Sequence, residues 1–394
     1  MSRRVLISGA GIAGCCLAWW LERYGYEVML VEQAPEPRHG GYVIDFWGLG
    51  YEVAQRMSLL NALQPHDLAI QEMRIVDDQG RRISGINQSA LGDMTGGQMM
   101  SLPRSALALA LFDAVKDNVS MRFGDRIEAL HQDSTGVDVR FHSGDSARYD
   151  LVFGADGLHS TVRALAFGAV PGFERFLGYY AAAFTAPGYP HRDPHLYVMY
   201  GQPGREIARI TLKEDASVFL LLFAHDRPLD IDAHDTAAQK AELRRHFSDS
   251  GWEGAGMLAA LEAATDLYFD RMSQIVMPEW STGRIALLGD ACVCPSLLAG
   301  EGSSMAMAQA YTLAGELHAA GGDHESAFRA FAHELKPFVQ RKQKGARGFA
   351  ASFVPKTPLG LWLRNISLNT IGALGLTKVI FREQLRDPFT LKAY

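Results

Sequence analysis

Val5-Leu6-Ile7-Ser8-Gly9-Ala10-Gly11-Ile12-Ala13-Gly14, followed by a helical pattern through Tyr24 and then Val28-Met29-Leu30-Val31-Glu32, is the stretch that decides the fold. A short apolar run enters a glycine turn, a helix follows, and a second apolar run ends on an acid. This is the strand–turn–helix–strand frame of a dinucleotide-binding unit. Gly9 permits the tight turn, Gly11 leaves bare backbone for a pyrophosphate to approach, and Gly14 lets the helix lie close on the strands. The phosphates would meet unpaired N–H groups at the helix N-terminus, where the dipole favours anions. Glu32 lies 23 residues past Gly9, near the spacing of about 20 at which an acid accepts hydrogen bonds from a ribose diol. The fingerprint alone leaves NAD and FAD both open.

At 394 residues the chain is long for one core, so two domains or one large intertwined unit is expected. Hydrophobic residues make up 48% and charged residues 21%, the balance of a soluble globular enzyme. A net charge of −6 and a pI near 6.1 leave no basic surplus for nucleic acid or an anionic membrane. Arg3-Arg4 precede an apolar segment, but glycines interrupt it and no small-residue cleavage site follows, so a folded strand–turn–helix explains it better than a signal peptide. No apolar run reaches the ~18 residues of a membrane span. Cys15, Cys16, Cys292 and Cys294 match neither a zinc nor a CxxC spacing and read as free buried thiols in a reducing cytoplasm. His191 and His195 are separated by Pro194, which keeps them off one helix face, and no metal is expected.

Further along, 46–63 reads as helix, 73–76 and 82–86 as strands, 99–102 as an extended segment and 105–115 as helix. Strands follow over 121–123, 129–132, 136–142 and 147–153, then a helix over 160–167. The stretch 179–185, 195–200, 206–212 and 218–223 reads as an antiparallel meander. Helices over 236–247 and 257–264 come next. Ile285-Ala286-Leu287-Leu288 is apolar throughout, as a strand buried on both faces should be. Helices over 303–319 and 325–346 precede an apolar tail. The expected architecture is α/β: a Rossmann-like cofactor domain from 1–65, 100–175 and 275–345, an inserted antiparallel sheet domain from 66–99 and 176–274, and a C-terminal helical segment over 346–394.

Two more motifs end strands on acids. Asp150-Leu151-Val152-Phe153-Gly154-Ala155-Asp156-Gly157 is followed by Ser160, Val162 and Arg163. Gly283-Arg284-Ile285-Ala286-Leu287-Leu288-Gly289-Asp290-Ala291 is followed by Pro295 and by Gly300-Glu301-Gly302-Ser303-Ser304 opening a helix. Both deliver an aspartate to the carboxyl edge of a sheet, where ligands of α/β proteins bind. The ordered set of GxGxxG, DG and GD resembles class A flavoprotein monooxygenases of the para-hydroxybenzoate hydroxylase type, over essentially the whole chain. Arg38-His39-Gly40-Gly41-Tyr42-Val43-Ile44-Asp45 and the short overall length look most like the tetracycline-destructase-like branch.

The resemblance implies a tightly held, non-covalent FAD. Gly9, Gly11, Ala13 and Gly14 would hold its pyrophosphate, Glu32 its adenosine ribose, and Asp290 its ribityl chain. Arg38 and Arg104 stand where the family has FAD-contacting arginines, and Asp156 would organise the DG loop. Gly302 and Ser303 would approach the isoalloxazine N1–C2=O region, where a helix dipole stabilises anionic reduced flavin. The family's chemistry implies NADPH or NADH as transient co-substrate and O2 adding at C4a, the (hydro)peroxyflavin then hydroxylating an aromatic ring or inserting oxygen beside a ketone. Catalytic side chains are not implied, because the flavin carries the chemistry. Val293, Ser304 and Gln309 depart from the His, Asn and Asp usual at those positions. Arg209, Phe219, Phe223 and Pro295 are candidate substrate contacts, for a bulky aromatic or polyketide-like small molecule. A flavin oxidase or dehydrogenase, or a non-catalytic flavoprotein that sequesters an intermediate, would carry the same motifs. A cytoplasmic monomer or homodimer is expected, with no integral membrane segment and no nucleic-acid partner.

Overall fold

The computed structural model describes residues 3–37, 40–87, 95–168, 172–190, 193–213, 215–296, 300–373 and 389–394. A six-stranded sheet runs in the order Ser281–Thr282, Ile285–Leu287, Leu151–Gly154, Arg4–Ser8, Glu27–Glu32, Ser120–Phe123. Its central strands are parallel, with Val5 beside both Val28 and Leu151, and Val152 beside Ile285. They are buried on both faces, which is why they read as unbroken apolar runs. Helices Ile12–Arg23 and Gly302–Ala319 pack together over this sheet, with the rings of Trp20 and Tyr311 4.8 Å apart.

A seven-stranded sheet runs Tyr268–Ile275, Glu174–Pro187, Ala216–Ala224, Arg205–Thr211, Leu196–Gln202, Glu72–Val76, Arg82–Asn87. Three of its strands form consecutive hairpins, but Glu174–Pro187 pairs with Ala216–Ala224 rather than with its sequence neighbour. Leu196–Gln202 runs parallel to Glu72–Val76. The arrangement is therefore not the simple meander expected. Helices Thr236–Phe247 and Gly254–Ala263 cover one face, closing a core of Phe184, Phe219, Phe223, Phe247 and Leu261.

Other differences have local causes. The segment expected as one strand over 147–153 is two strands in two sheets, Ser146–Tyr149 and Leu151–Gly154. Asp150 at the joint accepts from the Arg4 amide at 2.7 Å. The helix expected over 46–63 breaks into Gly48–Arg56 and Leu60–Leu63, because Ser58 takes φ 60°. All four cysteines are buried free thiols. Among the described residues no helix is long and apolar enough to cross a membrane.

The helix His324–Phe353 runs past the expected end at residue 346, and Pro358–Ala373 follows across the seven-stranded sheet. One buried ion pair anchors this last helix: Arg364 Nη1 lies 2.8 Å from Glu206 Oε2, and Glu206 is 1% exposed. Gly201 makes room, since a Cβ there would meet Glu206 Oε2 at 2.7 Å and Arg364 Nη2 at 2.9 Å. Burial pushes the Glu206 carboxyl up to about 7 even against the pull of Arg364. A carboxyl whose folded pKa exceeds its unfolded value contributes most to stability below the unfolded pKa, here near 4.5, and loses that contribution as pH rises through about 7. Arg364→Met leaves the carboxylate without its counter-charge. It should cost about 3–5 kcal/mol at pH 8, where Glu206 is ionised, and far less at pH 5, where it is protonated. Thermal melts and hydrogen exchange over 358–373 at the two pH values check this; equal losses at both would rule it out.

Candidate functional site

Three loops meet at the carboxyl edge of the six-stranded sheet, and they meet through backbone. Gly9 has φ +102°, and a Cβ there would lie 2.5 Å from the Ala155 carbonyl oxygen. A Cβ on Gly14 would lie 1.9 Å from the Gly9 oxygen. Gly289, at φ +62°, approaches Ala13, whose Cβ would be 2.9 Å from one added at the glycine. The first loop thus touches the second through Gly9 and the third through Ala13. Gly11 differs: no atom lies within 4 Å of an added Cβ, and the helix that begins there has no side-chain cap. Its first-turn N–H groups open onto free space, the cradle a pyrophosphate fits. The carboxylate of Glu32 accepts from the amides of Ala10 at 3.0 Å and Ala34 at 2.9 Å. Further lone-pair positions remain for a ribose.

The second loop is built around Asp156. Its carboxylate accepts from the Ser160 hydroxyl and from the amides of Thr161 at 2.8 Å and Val162 at 3.0 Å. Burial nonetheless raises its pKa. Arg163 ties the second loop to the third, donating to Leu158 O at 2.6 Å and to Ala291 O at 2.8 Å from a position 1% exposed. Gln309 fixes the third loop, its Oε1 accepting from the Gly289 amide at 2.9 Å. The position of Gly302 Cβ would be 3.9 Å from Asp290 Oδ1, so the aspartate and the N-terminus of helix Gly302–Ala319 are neighbours. That helix too begins without a side-chain cap.

Arg104 joins this group. Its amide donates to Tyr42 O at 3.0 Å. Burial raises the pKa values of Tyr42, Tyr268 and Asp290, and the Arg104 charge offsets only part of that rise; the Tyr42 phenol is pushed up to about 12. The Cys294 thiol hydrogen-bonds the Asp290 carboxylate. The rings of Tyr42 and Tyr268 lie 5.6 Å apart and tilted by 58°. Beside them Asp270 pairs with His159 of the second loop at 3.1 Å, which raises the histidine's pKa. Arg38 lies outside the described residues.

A family model for an FAD binding domain matches residues 2–344. A flavin-dependent monooxygenase from an unknown prokaryotic organism is 34% identical over 358 residues, covering 91% of this chain and 92% of its own length. An uncharacterized protein of Mycobacterium tuberculosis is 41% identical, covering 86% and 92%. The crystal structure of the tetracycline destructase Tet(55) superposes with a TM-score of 0.85 at 30% identity, covering 100% of this chain and 99% of that one. The chain belongs to this family of FAD-dependent monooxygenases. Its fold is that of the class A enzymes.

In this monooxygenase the departures from the usual pattern have structural uses. Val293 is buried in the main core. The Ser304 hydroxyl donates to Trp47 O at 3.0 Å, and its Cα fills the space beside Gly50, where a Cβ would come within 2.5 Å. Ser304 thus locks helix to helix. Pro295 is buried, with its carbonyl accepting from Gln274 Nε2 at 3.0 Å.

Three candidate substrate contacts need correction. Arg209 stands opposite Phe219, and Arg205 opposite Phe223, on the face covered by helices Thr236–Phe247 and Gly254–Ala263. Arg209 is 1% exposed and ion-paired with Asp193 at 3.0 Å and Glu253 at 2.9 Å. Phe219 stacks on Phe184, and Phe223 on Tyr180 and His246. The other face carries Ala208, Leu220, Ala183 and Tyr268 in adjacent strands. Tyr268 is what sequence reasoning missed; Tyr42 and Arg163 stand within quoted motifs but have no role of their own there. Alternation along 268–275 would have found Tyr268 had that strand been recognised.

The two glycines of the first turn should separate by function. Gly14→Ala forces a methyl group onto the Gly9 carbonyl and should destabilise by about 1–3 kcal/mol or more. Gly11→Ala meets open space and should change apoprotein stability by less than about 0.5 kcal/mol, yet weaken FAD binding tenfold or more. Melting curves and FAD titration check both. Undiminished FAD affinity in Gly11→Ala would falsify the cradle.

Proposed function

We propose that this monooxygenase uses NAD(P)H and O2 to hydroxylate, or insert oxygen into, a bulky aromatic or polyketide-like small molecule. The observation that carries the reading is the convergence of the three loops near Arg104 and Asp290, beside the aromatic pair Tyr42 and Tyr268. In this reading Gly9, Gly11, Ala13 and Gly14 hold the FAD pyrophosphate and Glu32 the adenosine ribose. Asp290 binds the ribityl chain, Arg104 supplies positive charge, and Gly302 and Ser303 meet the ring. Bound FAD supplies the electron-transfer and oxygen chemistry. The chain's own residues do the rest. Asp156 and Arg163 fix the loop against which a nicotinamide docks transiently, since a second fingerprint for it is absent from the sequence. Tyr42 and Tyr268 bring two aromatic faces and two protonated phenols to the same place; they stack on a planar substrate and donate hydrogen bonds to its oxygens.

The substrate face is taken to be the one bearing Ala183, Leu220 and Tyr268. The aromatic pair of Tyr268 and Tyr42, with rings 5.6 Å apart, suits a planar fused-ring substrate better than a small acid. The 30%-identical structural neighbour is a tetracycline destructase, which supports a substrate of that size and shape. Turnover under 18O2 is the test. With a library of aromatic and polyketide compounds, NAD(P)H consumption should rise with substrate, and one labelled oxygen should appear in the product. Product without label would exclude oxygen transfer. Tyr268→Ala should lower kcat/KM about tenfold or more while leaving FAD content unchanged, as expected for loss of a stacking contact of about 0.5–1.5 kcal/mol together with a hydrogen bond of similar size.

A further inference from the structure

Glu301 stands at the N-cap of helix Gly302–Ala319, one residue before the pair read to meet the flavin ring. Its side chain does not cap the helix. It reaches instead to Lys342 of helix His324–Phe353, with Oε1 and Nζ 2.8 Å apart. Both side chains are 13% exposed, so water screens the pair little. The ammonium is held from two further sides, 5.3 Å from the Trp47 ring centroid and 5.5 Å from that of Phe338. Aromatic faces attract a cation at such distances. Lys342 is thereby a fixed charge, unlike a lysine moving in solvent.

The electrostatics of this corner have three contributions. A helix N-terminus carries the equivalent of about half a positive charge. An ionised Glu301 at the same place outweighs it and reverses the field. A fixed ammonium against the carboxylate cancels the acid and leaves the helix field positive. We propose that Lys342 is a redox-positioning residue, which neutralises Glu301 so that the helix N-terminus favours the reduced, anionic flavin. Lys342 acts through Glu301 and touches no reacting atom. The proposal rests on the reading that Gly302 and Ser303 face the flavin ring.

The test is the midpoint potential of the FAD holoenzyme, measured by equilibrium reduction against reference dyes. Lys342→Met should disfavour reduction about tenfold, a fall of about 30 mV for a two-electron couple. Adding Glu301→Gln to that variant should restore the parent value, and Lys342→Arg should keep it. An unchanged potential in Lys342→Met overturns the proposal. So does an equal fall in the double variant, because the lysine would then act on the flavin directly or through packing. Where Lys342→Met fails to fold, Glu301→Gln alone decides: its potential should rise, and an unchanged one overturns the proposal. A parent protein that binds no FAD would instead overturn the cofactor reading itself.

Discussion

The structure depends on backbone lying against backbone where the first strand turns into the first helix. With a Cβ on Gly14 placed 1.9 Å from the Gly9 oxygen, and one on Gly9 placed 2.5 Å from the Ala155 oxygen, only hydrogen fits at either position. That contact sets the height of helix Ile12–Arg23 over the sheet. It also fixes the distance between the first loop and the DG loop, and through Ala13 and Gly289 the distance to the GD loop. Three segments spread over nearly 300 residues are thereby held to one site. The open helix N-terminus at Gly11 is a consequence of that packing, because it can face free space only while the helix flank is pressed on the sheet.

Such close loops leave polar groups that must be satisfied without water. Arg163 is the main device: a buried guanidinium bridging two loop carbonyls, Leu158 and Ala291. Gln309 does the same for the Gly289 amide. Asp156 gathers a hydroxyl and two amides. Burying these groups costs free energy that hydrogen bonds largely return. The carboxyls of Asp156 and Asp290 are nevertheless raised by burial, so part of that cost is retained. Buried polar networks of this kind rigidify the backbone around them, and a cofactor edge needs that rigidity more than the core does.

What was legible in the sequence was what local pattern and spacing decide. Gly9 to Glu32 was readable because its strands are buried on both faces and its turn chemistry is confined to a few residues. The strand Tyr268–Ile275 was not. Asp270, Arg271, Ser273 and Gln274 make it look like loop, and the groups that accept their polarity are remote: Glu174 for Arg271, and Gln343 for Gln274. Alternation along 206–212 correctly grouped Ile207 with Arg209, but periodicity does not say which side a later helix will cover. Helices 236–247 and 254–263 were visible as helices, and their docking side was not. Arg209 therefore has the residue type of a substrate ligand and the surroundings of a core ion pair.

The two faces of the seven-stranded sheet are filled by different kinds of side chain. On the helix-covered face Tyr180 stacks on Phe223 and Phe184 on Phe219, with His246 and Phe247 packed against Phe223. The opposite face presents alanine at 181, 183 and 208, with Leu220 and Tyr268 between and beside them. Strand alternation links the two faces residue by residue, since Ala183 stands next to Phe184 and Leu220 next to Phe219. A dense aromatic layer resists deformation, and interiors packed to crystal density transmit strain readily. The small-residue face is covered in turn by Phe353, Val354 and Leu368 of the C-terminal helices and the turn between them. The helix Pro358–Ala373 packs on this same face, with Leu368 in the cluster of Ala208 and Leu220, and is tied at Glu206 by one charged contact. That tether and the alanines both lie far in sequence from the glycine turn of the first loop.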